Sequence, residues 1–291
     1  MNHTIINNSG GNHGHQLKDW IGSYTIGKLL ASNYYHTPYH YLDFFLPRQS
    51  FQQVRDLKAD KCIEINGPQW DGVESYAEFK SMLKNTSTNK STLHKFGNAL
   101  RVHPFQTIDW FSAKYIQKDI FREVCVDLEN IFYFDKHRKQ NDNGELEVCI
   151  HINLHHTPGG DPTKPRYRFP IEYYLNIVQQ LLNLYKQKLN FHIYAEKTNS
   201  EILHKIFSDK KFTLHIGADR EDKDYEYIHS VFKDFVDADI LVCSNSSFSV
   251  VPSYFRMPDL NKLTIYHPHR HLNNLGSYQN FRETNTKGYF K

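Results

Sequence analysis

The sequence predicts an α/β protein whose second half is a doubly wound parallel sheet. Three observations carry this expectation. From residue 146 onward, short apolar runs alternate with amphipathic segments at regular intervals. The clearest run, Ile240 to Cys243, is continuously apolar with polar flanks, as a strand buried on both faces is. Each run also breaks into a polar turn before the next amphipathic segment. That order builds a parallel sheet with its ligand crevice at the strands' C-terminal ends.

The chain opens with a polar, Asn- and Gly-rich stretch in which Ile5 and Ile6 are a short strand or a frayed tail. Gly10-Gly11-Asn12-His13-Gly14-His15-Gln16 follows, and then Leu17, Trp20, Ile21, Tyr24, Ile26, Leu29 and Leu30 recur at helical spacing. This is a Gly-rich loop opening an amphipathic helix, and its glycines let a ligand approach the backbone. An ordinary flexible loop has the same composition. The loop is neither the dinucleotide pattern GxGxxG nor a phosphate loop ending in Gly-Lys-Ser/Thr.

Between residues 33 and 145, strands are expected over 39–46 and 62–65 and helices over 75–83 and 109–120. Residues 66–72 set Trp70 and Asp71 in a turn punctuated by Gly and Pro. Residues 135–145 are charged and lack any apolar side chain, which marks a linker. The expected domains are therefore 1–140 and 146–269, with the tail, 270–291, packing back across the first.

In the second half the strands fall at 147–152, 190–195, 212–216, 239–243 and 263–266. Helices fall between them at 170–188, 199–208, 225–237 and 247–256. The long first helix carries Ile171, Tyr174, Leu175, Val178, Leu181, Leu182 and Tyr185 on one face.

Composition narrows the class. The 39% hydrophobic and 14% aromatic content over 291 residues suffices for a sizeable core. A net charge of +3 does not demand a nucleic-acid partner, and 18 His with scattered Lys suit a small anionic ligand equally well. Cys62, Cys125, Cys149 and Cys243 form no CxxC pair and read as buried thiols in a reducing compartment. No run approaches the roughly 18 apolar residues of a membrane span, and the first residues lack the basic start and apolar core of a secretion signal. The expected location is cytoplasmic.

The chemistry concentrates in three places. Asp239-Ile-Leu-Val-Cys-Ser-Asn-Ser-Ser-Phe-Ser249 reads as a buried strand, a hydroxyl-rich turn and a helix start. Ser246 and Ser247 stand at N-cap positions, where their hydroxyls and the unpaired first-turn N–H groups form a phosphate-sized anion site; simple capping is the plainer role. The first strand of the second half delivers His151 and Asn153. A loop with His155, His156 and Asp161 follows, then Lys164, Arg166 and Arg168. Cations there neutralise a leaving diphosphate, and a positioned His or Asp moves a proton; the alternative is a solvated basic loop beside a core His. The ends of the next two strands bring Glu196, His215 and Gly217 to the same edge, in position to read a nucleobase or ribose or merely to cap helices. The alternating imidazoles of His267, His269 and His271, and the His155-His156 pair, match no HExxH or Cys/His zinc spacing, so no metal is expected.

Together these features resemble the fucosyltransferase-like glycosyltransferases, especially the alpha-1,2- and nodulation-type groups. Gly14-His15-Gln16-Leu17 matches their Gly-rich loop and helix, and His151-Ile152-Asn153 with Gly160-Asp161 their strand and loop. Pro170 to Tyr174 matches their Tyr-Tyr helix start, and Ser244-Asn245-Ser246-Ser247-Phe248-Ser249 their late turn. Asn153 stands where that family's pattern has Arg.

The resemblance implies a GT-B-like pair of Rossmann-like domains facing a cleft. It implies a sugar moved from a nucleotide-sugar donor, GDP-fucose-like or a UDP-sugar such as UDP-xylose, to a glycan hydroxyl. The reaction is expected to be inverting, with no metal or other cofactor. Donor contacts are expected from Arg166, Arg168, Asp161, Glu196, His215, Gly217, Ser246, Ser247, Phe248 and Ser249. His151 would assist the leaving diphosphate, and Asp71 or Asp19 would be the base for the acceptor hydroxyl. His15 and Trp70 would contact the acceptor. Two further readings stay open: a non-catalytic nucleotide- or carbohydrate-binding protein of the same fold, and a dinucleotide-dependent oxidoreductase. The missing GxGxxG counts against the second.

Overall fold

The computed structural model describes residues 4–7, 13–29, 33–35, 62–65, 99–102, 118–131, 144–154, 168–197, 200–217, 225–268 and 279–291. The chain divides into two compact units, Met1–Tyr133 and Phe134–Lys291. In the first, Ile5 and Ile6 lie in β1 (Thr4–Asn7), followed by α1 (His13–Leu29), β2 (Asn33–Tyr35), β3 (Cys62–Ile65), β4 (Ala99–Val102) and α2 (Lys118–Ile131). The strands form a parallel sheet in the order β2-β1-β4-β3.

Helix α1 keeps the predicted apolar spacing, with Leu17, Trp20 and Ile21 wholly buried. It packs on α2, whose Val124, Cys125 and Leu128 are also wholly buried. Tyr24 Oη donates to Asp127 Oδ2 at 3.0 Å, and Lys28 pairs with the same carboxylate. Of the helix expected over 109–120, residues 109–117 lie outside the described residues; α2 covers 118–120 and runs on to Ile131. The apolar spacing through Val124, Cys125, Leu128 and Ile131 carries the helical period onward, and no Gly or Pro interrupts it. β4 was not expected, because Ala-Leu-Arg-Val is too short to show a period. The expected strand at 39–46, the turn at 66–72 and the helix at 75–83 lie outside the described residues.

The second unit follows its predicted pattern closely. Its elements are β5 (Leu146–Ile152), α3 (Ile171–Leu184), β6 (Leu189–Glu196), α4 (Ser200–Ile206), β7 (Phe212–Gly217), α5 (Tyr225–Asp237), β8 (Ile240–Val242), α6 (Ser247–Arg256), β9 (Leu263–Tyr266) and β10 (Phe281–Glu283). All six strands are parallel, in the order β10-β9-β8-β5-β6-β7. One sheet face buries Val148, Ile150, Ile152, Phe191, Ile193 and Val242 in a core with Tyr173, Tyr174, Ile177 and Leu181 of α3. On the other face Cys149 reaches Asp234 O and His151 packs on Phe235, both of α5. β8, Ile-Leu-Val, is apolar throughout and wholly buried.

The tail departs from expectation. β10 extends the second unit's sheet beside β9, with Thr264 N donating to Asn280 O and Thr284 N to Tyr266 O, both at 2.8 Å. Tyr173 Oη lies 2.9 Å from Thr284 Oγ1, Asn176 Nδ2 donates to Lys287 O, and Gln180 bonds both Gly288 O and Phe290 N. Pairing satisfies the edge of β9, whose backbone groups would otherwise face outward, and buries Phe281 against Tyr266.

Candidate functional site

The strand order decides where a ligand site belongs. From β5 the chain steps through β6 and β7 in one direction, then returns to place β8 on the opposite side of β5 and steps through β9 and β10. Read from β7, this is the 3-2-1-4-5-6 order, and its switch point lies between β5 and β8. At a switch point the connections diverge and leave a crevice beyond the strand ends. His151 and Asn153 stand at that end of β5, and the Ser244–Ser249 turn at that end of β8.

The turn is built by its hydroxyls. Ser246, in an extended conformation (φ −138°, ψ 134°), is the N-cap of α6; its Oγ accepts from Phe248 N at 3.3 Å. Ser246 O accepts from both Ser249 N and Val250 N at 3.1 Å, which tightens the first turn. Ser249 is wholly buried. Its Oγ accepts from Ser244 N at 3.1 Å and reaches the carbonyls of Ser246 (3.3 Å) and Ser244 (3.4 Å). Ser249 therefore shapes the turn from within. Ser247, the first helical residue, makes no side-chain hydrogen bond among the described residues. No acid occupies the first turn of α6, so the positive helix end is uncompensated by a local carboxylate.

His151 is joined to this turn. Its Nδ1 lies 2.8 Å from Ser244 Oγ, and both residues are buried, at 8% and 3% exposure. Phe235 and Phe248 flank the imidazole, each with its ring centroid 5.6 Å away. Arg168, just ahead of α3, donates from Nη1 to Asn245 O at 3.4 Å, bringing a cation to the turn. Asn153 is buried, at 4% exposure, and its Oδ1 has no hydrogen-bond partner among the described residues. Cys243, beneath the turn, has its thiol pushed up to about 12 by burial, opposed by the Arg256 charge and the hydrogen bond to Ser249.

Glu196 and Gly217 are register partners at the ends of β6 and β7. A Cβ on Gly217 would lie 2.2 Å from the Tyr227 ring, so glycine lets Tyr227 close over that strand end. Tyr227 Oη then donates to His215 O at 3.3 Å. The His215 ring is already engaged: it stacks on Tyr194 at 4.4 Å, and its Nε2 meets His192 Nδ1 at 2.9 Å. Burial, then the neighbouring His192, holds His215 below the ordinary imidazole range, against the pull of Asp234.

The structure thus gathers His151, Arg168, Ser246, Ser247, Phe248 and Ser249 at one edge. His15 and Asp19 are placed by backbone alone, in the first two turns of α1. Trp70, Asp71, Asp161 and Arg166 lie outside the described residues. Sequence reasoning missed the Ser244 hydroxyl as the partner of His151, and Phe235 and Tyr227 as walls. Only the position of Ser244 directly after a buried strand hinted at its role. Among the described residues, no three His, Cys, Asp or Glu side chains converge as a metal would need, and no helix is long and apolar enough to cross a membrane.

No family model matches the sequence, and no curated protein matches it. Solved structures are similar to it. One is an Arabidopsis thaliana FUT1 mutant in complex with GDP, with TM-score 0.49, 11% identity and coverage of 88% of this chain and 69% of that one. Another is the fucosyltransferase NodZ from Bradyrhizobium, with TM-score 0.48, 8% identity and coverage of 88% and 92%. A third is the NodZ alpha-1,6-fucosyltransferase co-crystallized with GDP, with TM-score 0.48, 8% identity and coverage of 100% and 98%.

Proposed function

We propose that this protein is a glycosyltransferase that moves a sugar from a nucleotide-sugar donor to a glycan hydroxyl, without a metal and with inversion. The observation that carries the reading is the convergence of His151, Arg168 and the Ser244–Ser249 turn at the switch point between β5 and β8. An uncompensated helix N-terminus, a hydroxyl and a guanidinium suit a diphosphate; glycosyl transfer requires one as leaving group. The fucosyltransferase-like motifs in the sequence support the same class.

In this reading Ser246, Ser247 and the start of α6 hold the phosphates, while Arg168 and Arg166 balance the charge. Glu196 and the backbone of His215 and Gly217 face ribose and base. Asp161 adds a donor contact, Phe248 walls the site, and Ser249 supports the turn. The acceptor oxygen attacks the anomeric carbon as the bond to the β-phosphate oxygen breaks, and the electron pair leaves on that oxygen. His151 donates a hydrogen bond to it, and Asp71 or Asp19 takes the acceptor's proton, with His15 and Trp70 beside the acceptor. The donor is GDP-fucose-like or a UDP-sugar such as UDP-xylose. A second reading, a binding protein without turnover, is favoured by one observation: buried Asn153 occupies the position at which the related motif has Arg.

The test is a thermal-shift panel of UDP, GDP, CDP, their sugars and NAD, with and without EDTA. A ligand that binds only the folded state raises the melting point by mass action. A rise with one nucleoside diphosphate, unchanged by EDTA and lost in Ser246→Ala/Ser247→Ala, supports the site and names the base. No rise with any of them defeats it. Sugar-nucleotide binding without product formation across a panel of glycan acceptors selects the second reading.

A further inference from the structure

We propose that Asn153 is a ligand-binding residue of the switch-point site, and that its carboxamide hydrogen-bonds a hydroxyl group of the bound nucleotide or nucleotide sugar. The identity of the ligand rests on the function proposed above.

Asn153 is 4% exposed, yet its side chain makes no hydrogen bond among the described residues, and its Oδ1 is enclosed. A buried carboxamide without partners costs the folded state free energy, and native proteins keep few such groups. Its place in the fold supplies a reason. Cys149 and His151 lie on the α5 side of the sheet, where they meet Asp234 O and Phe235. Alternation along the strand carries Asn153, one residue past the end of β5, to the same side. Tyr194 of β6 also packs on Phe235, so Glu196 shares that side. The last register pair of β5 and β6 is Ile152 with Ala195, and one step further sets Asn153 beside Glu196.

Three features select a hydroxyl over a phosphate. An amide has an accepting end and a donating end, and a half-turn about its Cβ–Cγ bond exchanges them. A hydroxyl both donates and accepts, so it completes either end, whereas a phosphate oxygen answers Nδ2 alone. Glu196 sets an acidic group beside the amide, which favours a proton donor and repels an anion. Asn153 brings no charge of its own, while the helix start and the Arg168 guanidinium that suit phosphates lie at the Ser244–Ser249 turn, on the β8 side of β5. Two hydroxyl sources fit: the ribose, and the sugar carried by the diphosphate.

Urea unfolding of the ligand-free protein tests the first half. Asn153→Leu, close in shape and without polar side-chain atoms, is expected to keep or raise the midpoint, because no hydrogen bond is lost. A midpoint lowered in both Asn153→Leu and the smaller Asn153→Val gives the amide a structural role and overturns the inference. Calorimetric titration tests the second half with GDP, UDP, their 2′,3′-dideoxy counterparts, GDP-fucose and UDP-xylose. With the ribose as source, Asn153→Leu weakens the nucleoside diphosphate that the parent binds about fivefold and its dideoxy counterpart less than about twofold. With the sugar as source, both diphosphates stay within about twofold and the nucleotide sugar weakens about fivefold. Equal losses for a diphosphate and its dideoxy counterpart mark a phosphate or base contact, and no loss with any ligand marks no contact. Either result overturns the inference and leaves the proposed function standing. A parent protein that binds none of these nucleotides defeats the proposed function itself, and the hydroxyl contact with it. If Asn153→Leu does not fold, Asn153→Val takes its place in both measurements.

Discussion

His192 and His215 meet edge to edge across β6 and β7, Nδ1 to Nε2 at 2.9 Å, and His192 holds Glu147 Oε2 with its other nitrogen at 2.7 Å. One proton lies between the two facing nitrogens, so protonating both rings places two cations in contact. The folded state therefore resists protonation of His215, by burial first and by His192 second, with Asp234 opposing them. The unfolded chain does not, and titrates near the ordinary value of about 6.5. A depressed folded value means the unfolded state binds the extra proton, so stability rises with pH through that range and falls below it. Urea midpoints between pH 8 and pH 5 should decline in the parent protein and decline less in His215→Gln. Parallel curves for the two would remove His215 from the pH dependence.

Arg256 is wholly buried and bonds main-chain carbonyls at the end of α5. Its Nη1 donates to Phe235 O, Val236 O and Ala238 O, its Nη2 to Asp239 O and Leu263 O, and its Nε to Thr264 Oγ1. These are the last-turn carbonyls that a helix leaves unpaired, joined to the start of β8 and β9. Arg256→Met removes the donor these carbonyls share, although Val236 O keeps Lys262 Nζ and Asp239 O keeps Leu263 N, and a loss of about 3 kcal/mol in urea unfolding is expected. Arg256→Lys should recover only part of it, because an ammonium cannot span the same fork.

Gly288 and Gly144 both adopt positive φ, +85° and +67°, but only the first is crowded: its Cβ would lie 2.2 Å from Tyr173 O, while Gly144 has open space. Gly144→Ala should cost about 1 kcal/mol from backbone strain alone. Gly288→Ala adds a clash with α3, should cost about 2–3 kcal/mol, and should free the tail. Limited proteolysis reads the difference as early loss of the C-terminal peptide from Gly288→Ala only.

Ser246 and Ser247 are adjacent and have opposite expected effects. Ser246→Ala removes the N-cap of α6 and should lower stability by about 1 kcal/mol. Ser247→Ala removes a hydroxyl with no partner among the described residues, should change stability by less than about 0.5 kcal/mol, and should weaken diphosphate binding. Equal stability losses for the two would place the cap elsewhere.

The second unit's elements were readable because their causes are local. A strand such as β8, buried on both faces, is a short apolar run, a half-buried helix repeats its apolar residues at its own period, and Ser246 caps α6 with a neighbour two positions away. In the first unit β3 was read at its observed bounds, but β4, Ala-Leu-Arg-Val, was not, because Arg101 interrupts its short apolar run. Of the proposed site, the Ser-rich turn and His151 were visible as types in a pattern. Their pairing was not: Ser244 and His151 stand 93 residues apart.

By itself the sequence determined which stretches become strands and helices here, and which chemical groups sit at strand ends. Local sterics, capping and burial on one or two faces settle those. Tertiary structure alone decided that β8 lies beside β5, so that the switch point falls between His151 and the Ser244–Ser249 turn. It also turned Arg256 inward onto carbonyls and carried β10 to the edge of β9. Strand order, register and edge pairing arise from contacts between segments far apart in the chain. Such contacts repeat with no period along the sequence and exist only once the core that holds them has closed.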